Sequence, residues 1–118
     1  MTQLEYARLG KITYEMEAVA DQERLSPEYI RSGVADGTIV ITHNINRKGI
    51  KPSGIGAGLT TKINANLGTS TDQPSLSNEM EKLEIAIKYG ADAVMDLSTG
   101  GDLDEIRRRF LDESPITI

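Results

Sequence analysis

The feature that most constrains this chain is an alternation of short apolar runs and amphipathic repeats across residues 59–118. Leu59 to Ala65 predicts a strand running into Asn64-Ala65-Asn66. Leu76, Met80, Leu83 and Ile87 then recur at i, i+4, i+7 and i+11, the spacing that lines one helix face, and Gly90 supplies its stop. Ala93-Val94-Met95-Asp96-Leu97 predicts a second strand. Leu103, Ile106 and Phe110 mark a further amphipathic helix with Arg107, Arg108 and Arg109 on its wet side, and Ile116-Thr117-Ile118 opens a third strand. Strand, helix, strand, helix, strand with connections this short predicts right-handed βαβ units and a parallel sheet. Three parallel strands cannot close on themselves and require cover on both faces. Two readings follow: a small complete α/β protein with an exposed edge, or the opening βα units of a larger α/β barrel, incomplete in this chain.

Residues 1–58 read differently. Thr2 and Glu5 stand at capping-box spacing, with Gly10 as a stop. Thr13 predicts the N-cap of a helix from Tyr14 to about Arg24 that places Met16, Val19 and Ala20 on one stripe. Ser26-Pro27-Glu28 combines a hydroxyl cap, a proline at the first helical position and an acid near the positive dipole end, and Gly37 ends that helix. Thr38 to Ile41 is a β-branched run that predicts a strand. From His43 to Gly58, asparagines, Pro52 and glycines 49, 54, 56 and 58 predict an irregular loop, long enough to suggest a functional or mobile segment. The expected organisation is an N-terminal helical region over 1–58 and the start of a parallel α/β domain over 59–118.

Composition limits the function classes. Eighteen acidic residues against thirteen basic ones, a net charge of −5, argue against a bulk basic face for nucleic acid. No apolar run reaches the roughly 18 to 20 residues that cross a bilayer, and Met1-Thr2-Gln3-Leu4-Glu5 lacks the layout of a signal peptide, so a cytoplasmic location is expected. The absence of cysteine excludes, within these residues, a disulfide, a thiolate zinc site, a cysteine nucleophile and a cysteine-held cluster. Gly54-Ile55-Gly56-Ala57-Gly58 precedes its strand, whereas nucleotide-binding glycines lie between a strand and the following helix. His43 has no second histidine with which to share a metal and reads as a loop residue. The Arg107–Arg109 run reads as a solvated helix face.

In parallel α/β folds, ligands meet the C-terminal strand ends and the helix N-termini that follow. That rule selects two segments. In Asn64-Ala65-Asn66-Leu67-Gly68-Thr69-Ser70, alternation puts Asn64 and Asn66 on one side; their amides suit a polar heterocycle or sugar hydroxyl, or else cap the turn. In Met95-Asp96-Leu97-Ser98-Thr99-Gly100-Gly101-Asp102, hydroxyls and glycines precede a helix whose N-terminus Asp102 already caps. An inward Met95 would ordinarily serve as core filling.

The wording of these segments goes further. Met1 to Arg8, Ile12-Thr13 with Glu15-Met16 and Val19-Ala20, Asn44-Ile45-Asn46, Lys62 to Gly68, and Tyr89 to Gly100 together resemble the phosphomethylpyrimidine synthase family of non-conventional radical S-adenosylmethionine enzymes. The resemblance runs the length of the chain. Thr42-His43 stand where many members carry proline and a small residue, and the Lys48–Gly58 loop is richer in glycine than in longer members.

The resemblance implies an (α/β)8 catalytic barrel behind a small N-terminal region. It implies rearrangement of 5-aminoimidazole ribotide to 4-amino-5-hydroxymethyl-2-methylpyrimidine phosphate by a radical made from S-adenosylmethionine at a [4Fe–4S] cluster, with a divalent metal (zinc) and a homodimer. Of the family's substrate contacts, two map here, Asn66 and Met95, as positioning groups. The cysteine motif, metal ligands and phosphate-binding residues map beyond this chain, so these 118 residues are expected to be an N-terminal part, inactive alone. Two alternatives remain at this stage: 5-hydroxybenzimidazole synthase, which uses the same substrate and cofactors, and a non-catalytic small α/β binding module.

Overall fold

Hydroxyl residues start the N-terminal helices. In the computed structural model, which describes residues 1–72 and 75–118, Thr2, Thr13 and Ser26 cap α1 (Gln3–Arg8), α2 (Tyr14–Glu23) and α3 (Pro27–Asp36). Each cap oxygen accepts the N–H three residues ahead, pairing a donor that a helix leaves without an internal partner. At Thr2 the bond is returned, since Glu5 accepts the Thr2 N–H at 2.6 Å. Arg24 and Gly37, both left-handed, close α2 and α3.

The chain divides into two units, Met1–Thr61 and Lys62–Ile118; the sequence reading placed the boundary after residue 58. In the first unit β1 (Ile39–Thr42) pairs antiparallel with β2 (Ser53–Gly56), Ile39 opposite Gly56 and Thr42 opposite Ser53. Met16, Val19, Ala20, Ile30, Val34 and Ile39 join Ala7 in its core.

β2 corrects the expectation of an irregular segment from His43 to Gly58. Its glycines permit close packing: a Cβ on Gly54 would run into a Val19 methyl and come within 2.9 Å of Leu59 Cδ1, and one on Gly56 would strike the Thr38 carbonyl. The strand expected from Leu59 also begins later. Leu59 packs on the first core, and the Glu23 carboxylate accepts the Thr60 N–H at 2.8 Å and the Thr60 hydroxyl at 2.9 Å. Residues 59 and 60 are thereby committed to the first unit.

The second unit sets β3 (Asn64–Leu67) parallel to β4 (Ala93–Asp96), with Asn64 opposite Ala93 and Leu67 opposite Asp96. Between them runs α4 (Leu76–Lys88), and after β4 comes α5 (Leu103–Glu113). Leu67, Met80, Leu83, Val94, Ile106 and Phe110 form the core. The expected third strand is reduced to one parallel bridge, Ala93 to Thr117, with the Val94 N–H donating to the Thr117 carbonyl at 2.9 Å. Before it, the Ser114 hydroxyl accepts the Ile116 N–H and donates to the Ile116 carbonyl, holding the backbone in a local turn. The architecture is mixed α/β with two small sheets. No described helix is long and apolar enough to cross a membrane.

Candidate functional site

The period of two along β3 and β4 separates packing from presentation. Leu67 and Val94 turn inward, 6% and 3% exposed, against α4 and α5. Asn64, Asn66 and Met95 occupy the alternate positions and are exposed, Met95 by 51%. Asn66 and Met95 are direct register partners. Asn64 Nδ2 donates to Asn66 Oδ1 at 3.1 Å, so the two amides form one polar row beside a thioether. Met95 therefore lies outside the apolar core.

The turns after the two strands are tied together. Leu97 N–H donates to the Leu67 carbonyl at 2.7 Å and Thr99 N–H to the Thr69 carbonyl at 2.8 Å, extending the parallel ladder beyond the strands. Ser98 Oγ accepts the Thr69 N–H at 3.1 Å, and the Thr69 hydroxyl donates to the Gly100 carbonyl at 2.6 Å. The backbones approach so closely that a Cβ on Gly68 would sit 2.6 Å from the Leu97 carbonyl carbon, and one on Gly100 would sit 2.5 Å from the Ser70 carbonyl. Gly100 thus serves close backbone approach. It is also buried, while Asp102 Oδ1 caps α5 by accepting the Glu105 N–H at 3.0 Å. That cap occupies the helix end an anion would otherwise use.

Two acids support this edge. Asp96 Oδ1 accepts the Ser98 N–H at 2.9 Å, and its Oδ2 lies 3.6 Å from Arg107 Nε. Glu79, only 3% exposed, accepts the Gly68 N–H at 2.8 Å and the Lys82 ammonium at 2.6 Å. Sequence reasoning missed Glu79 because an acid in a first helical turn reads as a dipole complement. Its place on the helix stripe beside Met80 and Leu83 is the signal that points it inward. Arg107 and Arg109 are exposed as expected, and Arg109 pairs with Glu113. A cleft of about 480 Å³ runs along β4, lined by Asn64, Ala93, Met95 and Asp96 together with Arg107, Phe110, Leu111 and Thr117; Asn66 lies outside this lining.

In the first unit His43 Nδ1 lies 3.3 Å from Glu15 Oε1. Burial alone would raise the Glu15 carboxyl, but its own backbone N–H and the side chains of Gln3, His43 and Thr13 outweigh that and hold it below its ordinary value. Among the described residues no group of three or more His, Cys, Asp or Glu could hold a metal ion.

The sequence has close counterparts. A phosphomethylpyrimidine synthase of Desulforamulus reducens is 55% identical over 118 residues, all of this chain and 27% of the relative. One of Thermus thermophilus is 56% identical over 119 residues, again covering the whole chain and 27% of the relative. Phosphomethylpyrimidine synthase 1 of Methanothermobacter thermautotrophicus is 56% identical over 118 residues, with the same coverage. The chain thus spans about a quarter of the length of these relatives. Residues 2–118 match the Radical SAM ThiC family, and the chain belongs to that family.

Proposed function

We propose that the gene product carrying these residues is a carbon–carbon lyase of thiamine biosynthesis that converts 5-aminoimidazole ribotide to 4-amino-5-hydroxymethyl-2-methylpyrimidine phosphate. The single observation that carries this reading is the match over residues 2–118 to the Radical SAM ThiC family. The relatives at 55–56% identity, named phosphomethylpyrimidine synthase, support it. In this reading the second unit, Lys62–Ile118, is the opening βα part of an (α/β)8 catalytic barrel and the first unit, Met1–Thr61, its N-terminal region. The enzyme works in the cytoplasm as a homodimer on a small-molecule substrate, without nucleic acid or membrane partners.

Asn66 and Met95 position the ribotide. The Asn66 amide hydrogen-bonds a ring nitrogen or ribose hydroxyl, and the Met95 thioether flanks the apolar face of the heterocycle. Register pairing supports a joint role, because two side chains opposite each other on parallel strands reach one small molecule without a conformational change. A [4Fe–4S] cluster and S-adenosylmethionine supply radical chemistry in this family. With no cysteine in the chain, the residues here do not fit the cluster, and the described acids and histidine do not fit the zinc; their ligands are assigned outside these 118 residues.

The test is turnover of 5-aminoimidazole ribotide by the purified gene product with S-adenosylmethionine and a reductant, followed by mass analysis. The pyrimidine phosphate is expected. A benzimidazole product would reassign the protein to 5-hydroxybenzimidazole synthase, and ribotide binding without turnover would favour a non-catalytic module. Turnover by residues 1–118 alone would overturn the placement of the metal ligands.

A further inference from the structure

We propose that Glu79 is a positioning residue for ribotide binding: its buried carboxylate holds the β3 end, and through it the β4 end, so that Asn66 and Met95 face the ligand together. The inference rests on the reading of Asn66 and Met95 as ribotide contacts. Glu79 sits in the first turn of α4 with a side chain only 4% exposed, an expensive place for a carboxylate unless its oxygens are paired. Both are. One accepts the Gly68 N–H at 2.8 Å, and the other accepts Lys82 Nζ at 2.6 Å from a side chain that is itself 55% exposed.

The Gly68 bond is the consequential one. Gly68 lies two residues beyond Asn66, one position past the last ladder pair of β3 and between the Leu67 and Thr69 carbonyls that accept from Leu97 and Thr99. Its backbone packs against Leu97 and Ser98, two and three residues beyond Met95, at a separation that excludes even a methyl group. Glu79 therefore adds a side-chain anchor from α4 to one peptide of the segment in which the two strand ends bear on each other. Its substitution would leave the core residues Leu67, Met80 and Leu83 in place while releasing the orientation of the exposed face.

Glutamine at 79 keeps an acceptor for Gly68 but sets an amide N–H₂ against the Lys82 ammonium, two donors facing each other. Removing the ammonium removes that conflict, which distinguishes positioning from bulk stability. The experiment compares the purified gene product with its E79A, E79Q/K82M and N66A variants. It uses calorimetric titration with 5-aminoimidazole ribotide, KM and kcat, and amide exchange at Gly68.

Expected for E79A are faster exchange at Gly68 and a ribotide Kd raised about tenfold, with KM following and kcat changed less. E79Q/K82M is expected to recover most of the affinity lost in E79A. Wild-type affinity in E79A, or no recovery in E79Q/K82M, overturns the positioning role. If E79A fails to fold, E79Q/K82M decides: near-wild-type affinity and Gly68 protection support the role, and their loss overturns it. Wild-type affinity in N66A overturns instead the contact reading on which the inference rests, and the Gly68 exchange arm is unaffected by that result.

Discussion

Asn64 donates its side-chain amide to the Asn66 side-chain carbonyl at 3.1 Å, from the same exposed face of β3. The bond engages the Asn66 amide oxygen as acceptor, and Asn66 itself is exposed. The amide plane of Asn66 is thereby tied to a neighbour on its own strand. Met95 stands directly across the strand pair from it.

Asn66→Ala removes that amide and is expected to weaken 5-aminoimidazole ribotide binding about threefold to tenfold, the effect of one neutral hydrogen bond. Met95→Ala is expected to raise KM as well, whereas Met95→Leu, which conserves volume and apolarity, is expected to stay within a factor of a few. Because both side chains are exposed, neither alanine variant is expected to shift thermal stability. Steady-state kinetics with parallel melting curves check all three.

Phe110 is fully buried in the core of the second unit, against Leu67, Val94 and Ile106 among others. Phe110→Ala is expected to cost about 3–5 kcal/mol, the sum of lost transfer energy and the cavity left behind. Urea unfolding followed by exchange at the β3 and β4 amides would show the loss there.

Gly54 faces Val19 so closely that a methyl group must displace the valine or the strand. Gly54→Ala is expected to destabilise the first unit by about 1–3 kcal/mol through overpacking, although alanine has no intrinsic objection to a strand. Amide exchange at Val40 and Ile55, which pair across this hairpin, is the readout. Unchanged protection would contradict the close packing.

The carboxyls of Glu5, Glu15 and Glu28 are all held below their ordinary value of 4.5. The Thr2 backbone and hydroxyl act on Glu5, and Arg31 acts on Glu28. At Glu15 burial opposes the shift and hydrogen bonds overcome it. A carboxyl lowered in the folded state binds its proton later than in the unfolded chain. Its stabilisation is present above pH 4.5 and is lost as pH falls through the lowered value. Glu15→Gln removes the Glu15 share and is expected to flatten the acid limb of stability against pH, measured by urea midpoints between pH 6 and 3.

Local chemistry determined much of this protein without the fold. Thr2, Thr13 and Ser26 cap their helices through bonds spanning three residues, and the stripe from Leu76 to Ile87 carries its helix, because caps and periodicity act over a single turn. The shared face of Asn64 and Asn66 was equally legible, since alternation sets which side chains of one strand lie together, whereas Met95 reads as core filling by residue type and is exposed in the fold.

Tertiary structure decided what depends on a distant partner. Ser53-Gly54-Ile55-Gly56 reads as loop until Val19, Leu59 and Thr38 show that only glycine fits at two of its positions. Leu59 and Thr60 read as strand until Leu59 packs on the first core and Glu23 binds Thr60. The register that sets Asn66 opposite Met95, and the carboxylate of Glu79 on Gly68, join residues 29 and 11 positions apart. Sequence patterns report which face a side chain takes, whereas pairing across such distances is fixed only when whole elements pack.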